Sequence, residues 1–197
     1  LVELETQAVA PNEIRFTTIG ALEAATVPAS ADTVLVLGFE DPGDDGGARY
    51  RRVPIEPSTE GKVQSADGAW WLVTGSEIDP RILGARGNDA ADDTASVQMA
   101  LAVGVPVVFS PGIYILDGVD IPTGAVMYAR RPGTVTLKRK ANAAAAYILQ
   151  ADGVNSFRVN GFTLDGNMAN NTVAADNIAI VGGCYDFDVS DNKSKNA

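Results

Sequence analysis

The chain has 197 residues, 46% of them hydrophobic, which suits a protein folded around its own core and excludes long disorder. Lys and Arg number 15 against 25 Asp and Glu, and the net charge of −10 argues against nucleic acids and anionic membranes as partners, though not against polysaccharides. There is no histidine and only one cysteine, Cys184, so Ser-His and Cys-His hydrolase chemistry, zinc sites and an internal disulfide are all excluded. No apolar run approaches the eighteen or so residues of a membrane-spanning helix.

Residues 1–13 show no sustained apolar period and are expected to be a connector. Ile14, Phe16, Ile19 and Leu22 predict a short strand or helical turn leading into a buried strand at Thr33–Leu37, bounded by Asp32 and Gly38. The run Asp41-Pro42-Gly43-Asp44-Asp45-Gly46-Gly47 reads as a tight loop, because several of its positions tolerate positive φ. Asp41, Asp44 and Asp45 partly fit a calcium loop, but no bidentate Glu follows, so no metal is assigned. Tyr50–Val53 is the returning strand, and Lys62–Gln64 and Trp70–Val73 flank an Asp67-Gly68 turn. Adjacent strand residues point to opposite faces, so one of Trp70 and Trp71 belongs to the core and the other faces out, against sugar or a neighbouring subunit. Residues 14–80 are thus expected to form a small β domain.

Residues 81–104 read as a linker and a capping helix. Gly84-Ala85-Arg86-Gly87-Asn88-Asp89 is a glycine-rich turn, and Asp92-Asp93-Thr94 starts a helix whose free N–H groups the two carboxylates can accept from. Val97, Ala100 and Leu101 form one narrow apolar stripe, and Gly104 stops the helix. So short a helix needs a surface to cover, such as the first rung of a solenoid. A βαβ crossover in a Rossmann-like domain would open alike, but no further helix of that kind follows.

From Val105 to the end, short apolar segments are broken by turns such as Asp117-Gly118, Asp152-Gly153, Asn160-Gly161 and Gly182-Gly183. A sandwich or barrel would give the same texture. An internal repeat decides against both. Residues 148–161 align without gaps onto 178–191 at an offset of thirty, pairing Ile148 with Ile178, Phe157 with Phe187 and Val159 with Val189. Such repeats mean stacked coils. The excess length would loop out over Asn167–Asp176. Stacking sets Arg158 roughly 4.8 Å from Asp188, as an exposed ion pair holding register.

The stretch 84–114, with its Gly-Ala, its Asp-Asp-Thr, Gln98 and a valine strand closing at Pro111-Gly112 before Tyr114, resembles the opening of the pectate-lyase-like right-handed β-helix superfamily, in particular phage tailspikes and depolymerases. Gly38-Phe39, Pro42-Gly43-Asp44-Asp45-Gly46-Gly47 and Tyr50 resemble the loop that precedes the β-helix there. Asn88 and Ala90-Ala91 depart from the pattern, which tends to a second glycine. The fold class expected is all-β: a small N-terminal β domain, a capping helix, and over 105–197 the first rungs of a right-handed parallel β-helix. The chain then reads as the N-terminal part of something longer. The resemblance implies a homotrimeric phage tailspike or receptor-binding protein, located on the virion tail or extracellularly. Its partners would be bacterial surface polysaccharide and other tail or baseplate proteins, with no cofactor. The other readings are a secreted polysaccharide lyase or hydrolase, and a non-catalytic tail or adhesin module.

Catalytic candidates are few. Glycosidases need two carboxyls about 5–9.5 Å apart. Asp165 is a first member, although the repeat places Lys195 above it. Asp186 and Asp188 would share a strand face about 7 Å apart. For a lyase, Arg158 beside Asp188 is the local hint of a base next to a carboxylate–calcium site. In the resembled proteins the active groove usually lies on later rungs.

Overall fold

A computed structural model describes residues 13–174 and 176–196, so the connector expected over 1–13 lies, apart from Glu13, outside the described residues. β1 (Ile14–Phe16) is followed by helix α1 (Ile19–Glu23), capped by Thr18, whose Oγ1 accepts from the Ala21 amide at 3.2 Å. The segment expected as strand or helical turn is therefore both. β1 pairs in parallel with β2 (Thr33–Val36). β3 (Ala48–Val53), β4 (Lys62–Gln64) and β5 (Trp70–Val73) complete a five-stranded sheet in the order β1-β2-β3-β5-β4, by antiparallel pairings. Its inner side buries Val34, Val36, Tyr50, Trp71 and Val73, as alternation demands. Trp71 is the buried member of the tryptophan pair, and its Nε1 donates to Ser65 Oγ at 2.9 Å.

The acidic loop between β2 and β3 is organised by one side chain. The Asp44 carboxylate accepts from the amides of Phe39, Glu40, Asp41 and Gly46 at 2.8–3.1 Å. Burial pushes its pKa up, but those four donors outweigh it and hold the carboxyl below its ordinary value. The aspartate thus builds the turn with both oxygens.

The next segment closes the open end of the coils. Residues 88–92, expected as part of a turn and helix start, instead form strand β6 (Asn88–Asp92), parallel to a later strand at Gly112–Leu116 with an irregular register. An exposed strand edge needs hydrogen-bond partners, and this bulged strand supplies them. Helix α2 (Thr94–Ala102) follows, with Val97, Ala100 and Leu101 buried and Gly104 at φ +87° just past its end. Asp92 Oδ1 accepts from the Thr94 amide, as expected of a helix start. Asp93, expected to do the same, turns away: its carboxylate accepts from the amides of Arg86 and Gly87 at 2.7 and 3.1 Å, locking the glycine turn.

After α2 come three-strand coils. The first is β7 (Val107–Phe109), β8 (Gly112–Leu116) and β9 (Val119–Asp120). The second is β10 (Val126–Ala129), β11 (Val135–Arg139) and β12 (Tyr147–Asp152), and the third is β13 (Arg158–Asn160), β14 (Thr163–Asp165) and β15 (Asp176–Val181). β16 (Asp188–Ser190) and β17 (Lys193–Lys195) begin a fourth. Every strand pairs in parallel with its counterpart one coil on, giving three sheets: β7-β10-β13-β16, β6-β8-β11-β14-β17 and β9-β12-β15. Inward residues stack in columns such as Val107–Met127–Val159–Val189 and Tyr114–Leu137–Leu164. The rings of Phe157 and Phe187 lie 5.1 Å apart and nearly coplanar in orientation, at 7°. The excess length of the third coil loops out between β14 and β15, as expected.

The offset of thirty holds for β13 on β16 and β14 on β17, but not throughout. On β12 and β15 the register is Leu149 on Ile178, one residue short of the Ile148–Ile178 pairing the repeat suggests. The extra residue is taken up where Gly153-Val154 faces Gly182-Gly183-Cys184, between the Asp152–Val181 and Asn155–Tyr185 pairings. Gly182 and Gly183 both have positive φ, and a Cβ on Gly182 would meet Asp152 Oδ1 at 2.1 Å.

Gln98 of α2 shows how the cap works. Its Nε2 donates to the Asp120 carbonyl at 3.0 Å and its Oε1 accepts from the Asp120 amide at 2.9 Å, so one side chain replaces a missing neighbour strand for β9. Gln98→Ala is expected to cost about 1 kcal/mol, the net worth of solvent-accessible hydrogen bonds, while Gln98→Asn is too short to rescue it. Urea unfolding monitored by circular dichroism checks this; an unchanged midpoint in both variants would refute it.

Candidate functional site

One polar face of the coils is the outer side of the four-stranded β7-β10-β13-β16 sheet. Alternation turns Met127 and Val159 inward, so Val126, Tyr128, Arg158, Asn160, Asp188 and Ser190 project outward. The stacking register arranges them in two rows, Val126–Arg158–Asp188 and Tyr128–Asn160–Ser190. They line a shallow hollow of about 500 Å³. A second hollow of about 590 Å³ lies on the same sheet nearer the capped end, between Val108, Glu77, Arg81 and Arg130.

Glu77 and Tyr128 stand between the two hollows. The Tyr128 hydroxyl donates to Glu77 Oε2, and Arg130 Nη2 lies 3.4 Å from Glu77 Oε1. The bond to Glu77, with some burial, raises the pKa of the Tyr128 phenol, which keeps it protonated as a hydrogen-bond donor. At the capped end Arg81 pairs with Asp45 at 2.6 Å and donates to the Pro111 carbonyl at 2.9 Å. Asp79 accepts from the amides of Arg81 and Ser110 at 3.0 and 2.9 Å. These residues fix the connection between the five-stranded sheet and the first coil. The face therefore offers hydrogen-bonding groups at strand spacing beside one phenol ring, the composition of a surface that binds a hydroxyl-rich chain.

The sequence candidates scatter. Arg158 and Asp188 are neighbours on this face, but the expected ion pair does not form: Asp188 Oδ2 accepts from Asn160 Nδ2 at 3.3 Å, and no carboxylate among the described residues lies within 4.0 Å of the exposed Arg158 guanidinium. An exposed pair gains too little to hold two long side chains together. Asp186 does not share a strand face with Asp188. It precedes β16 at φ +53°, and its carboxylate accepts from Ser156 Oγ of the coil below at 2.8 Å. Asp165 lies on another sheet altogether, under Lys195 as the repeat implied, with 3.0 Å between Nζ and Oδ2. Its Oδ1 accepts from the Asn167 amide and from Asn196 Nδ2, both at 3.0 Å. Asp165 thus stands on a different sheet from Asp188, and among the described residues no three acidic or thiol groups converge to hold a metal ion.

Glu77, Tyr128, Arg130 and Asn160 were missed in the sequence. The signal for Tyr128 and Asn160 was present but displaced, because β10 and β13 pair at an offset of 32 (158 less 126) rather than thirty.

No protein-family model matches the chain, and no curated protein is similar to it in sequence. Solved structures are similar in fold. Tailspike gp49 of Acinetobacter baumannii bacteriophage Fri1, a capsular polysaccharide depolymerase, matches 93% of this chain at TM-score 0.72 and 12% identity. The enzymatically active domain of tailspike protein 2 from bacteriophage CBA120 matches 86% at TM-score 0.70 and 16% identity. The fold is the right-handed parallel β-helix of the phage tailspikes. The A-module of an Azotobacter vinelandii mannuronan C-5 epimerase matches 60% of the chain at TM-score 0.52 and 18% identity. The chain spans 38%, 26% and 38% of the lengths of these three structures.

Asp165 makes a prediction about acid stability. Burial pushes its pKa up, but Asn196, Asn167 and Lys195 outweigh burial and depress it. A depressed carboxyl binds fewer protons folded than unfolded, so its stabilisation is present above the unfolded value and fades as pH falls through the folded one. Wild type should therefore be more stable than Asp165→Asn above pH ~5, and the gap should close towards pH ~3. Thermal melts across that range test it; a pH-independent gap refutes the assignment.

Proposed function

We propose that this chain forms the opening part of a tailspike-type receptor-binding protein whose β-helix binds, and in the full-length protein cleaves, a bacterial surface polysaccharide. Residues 14–80 act as a small β domain, 81–104 as linker and capping helix, and 105–197 as the first rungs. The observation that carries this reading is the shared order of parts. A likeness covering 86–94% of the chain has to include the five-stranded sheet as well as the coils, and the structures that match at that coverage here are phage tailspikes. The epimerase module, at 60%, shares less of it.

In this reading the face around Tyr128, Arg158, Asn160 and Ser190 binds sugar hydroxyls, and Glu77 and Tyr128 mark where the polymer passes towards the capped end. Of the carboxylates on the face, Glu77 is engaged by Tyr128 and Arg130, and Asp188 by Asn160. The four coils thus act as a binding surface, and the bond-breaking pair belongs to later rungs. Asp165, Asp186 and Asp188 serve the coil architecture. The protein works as a homotrimer on the virion tail, outside the host cell, in contact with other tail or baseplate proteins. The epimerase likeness favours, as a second reading, a secreted polysaccharide-modifying enzyme acting as a monomer.

Incubating the full-length protein with purified capsular polysaccharides is expected to release reducing or unsaturated ends, and light scattering is expected to give three chains per particle. Arg158→Ala and Asn160→Ala should each weaken polysaccharide binding about tenfold, the loss of one or two hydrogen bonds. A monomer that still cleaves polysaccharide would select the secreted enzyme. No cleavage of any capsule would leave the non-catalytic tail module.

A further inference from the structure

A second surface, remote from the coil face in sequence, has the opposite electrostatic character. The solvent side of the five-stranded sheet carries Arg15 on β1, Arg49 and Arg51 on β3, and Lys62 on β4, with Leu35, Leu72 and Trp70 between them. Cross-strand partners share a face, and the registers Arg15–Leu35–Arg49 and Thr33–Arg51–Leu72–Lys62 set these side chains in two rows across the strands. Four cations thus gather on one small face of a chain whose net charge is −10.

Their counter-ions are partial. Glu13 serves both Arg49, at 2.6 Å, and Arg15, at 4.0 Å, and Lys62 pairs with Glu56 at 2.7 Å. Arg51 is exposed and has no acidic side chain within 4.0 Å among the described residues. Trp70 is half-buried and opposes Val53 and Gln64, and Lys62 Nζ stands 5.7 Å from its ring centre. An indole flanked by cations and left partly open suits a sugar ring bearing negative charge: the ring stacks on the indole and carboxylates take the guanidinium forks. From β1 to β4 the cations extend over four strand spacings, roughly 19 Å. That reach fits a linear polyanion better than a small anion.

We propose that this face binds an anionic polysaccharide, stacked on Trp70 and held through its carboxylates by Arg51 with Arg15, Arg49 and Lys62. The site does not depend on the β-helix face, and it can tether the protein to an acidic polymer whether or not that polymer is the one cleaved.

The test titrates the chain with polygalacturonate, alginate and neutral dextran at low and high salt, following binding by calorimetry and tryptophan emission. The polyuronates should bind at low salt, weaken as salt rises and change tryptophan emission; dextran should not bind this face. Arg51→Glu and Trp70→Ala should each weaken binding about tenfold or more, with circular dichroism and particle mass unchanged, and Trp70→Ala should lose the emission change. Arg131→Ala, an exposed cation on the coils outside both faces, should leave polyuronate binding intact, which assigns the loss to this face rather than to surface charge in general. Three results overturn it: neither polyuronate binds; Arg51→Glu, exposed and therefore safe for folding, binds as wild type; or Arg51→Glu lowers the particle mass, which makes the face a contact between copies.

Discussion

Everything in this fold depends on closing the first edge of a parallel solenoid. Each coil borrows its hydrogen bonds and its apolar floor from its neighbours, so the first coil faces a row of backbone groups and a layer of side chains with nothing beneath. The chain solves this within residues 84–102, by three devices. β6 pairs irregularly with β8; α2 covers the floor with Val97, Ala100 and Leu101; and Gln98 satisfies β9 with its amide. Thr94 adds a fourth contact, its Oγ1 accepting from the Asp117 amide at 2.8 Å. Asp93 ties the preceding turn beneath them. Polar residues that look like a helix start are mostly replacements for an absent strand.

That distinction decides how much was legible. The apolar stripe, the glycine stop and the valine strand could be read because burial and backbone strain leave direct marks on composition. The Asp-Asp-Thr run predicted a helix in the right place but the wrong partner for Asp93, since its acceptors bond amides up to seven residues upstream rather than its own helix. β6 was invisible for a related reason. Asn88-Asp89-Ala90-Ala91-Asp92 has no strand propensity of its own, and tertiary pairing with β8 imposes the extended form. Asn88 Oδ1, accepting from the amides of Ala90 and Ala91, shapes the bulge.

The repeat was legible only where coils have equal length. One corner of the helix recurs in every coil as a residue of positive φ: Gly104, Gly124, Ser156 and Asp186 each lie three residues before the inward Val107, Met127, Val159 and Val189. The spacing between them is 20, then 32, then 30 residues, so a fixed-period comparison detects only the last pair. Glycine is the natural occupant of such a corner, and Asp tolerates it better than most. The geometry explains Asp186 without chemistry. It is an acidic residue because a short polar side chain suits a left-handed corner and can reach Ser156 below.

The unequal lengths also set what the outer faces can do. The second coil's surplus is folded out between β11 and β12, the third's between β14 and β15, and the two loops are fastened to each other. Arg139, almost fully buried, donates to the carbonyls of Ala145 and Val173, and Asn171 reaches both the Lys140 carbonyl and the Ala143 amide. A buried guanidinium served, among the described residues, only by neutral carbonyls is an expensive staple, and it is placed where two insertions would otherwise hang free. Most of the surplus leaves at that corner, although the β10–β11 connection (130–134) is also longer than its counterparts; the β7-β10-β13-β16 sheet stays uninterrupted, and Tyr128, Asn160 and Ser190 keep strand spacing despite coming from coils of different length. A flat polar face with regular spacing is what a linear polymer requires. The two larger insertions preserve that face by being elsewhere.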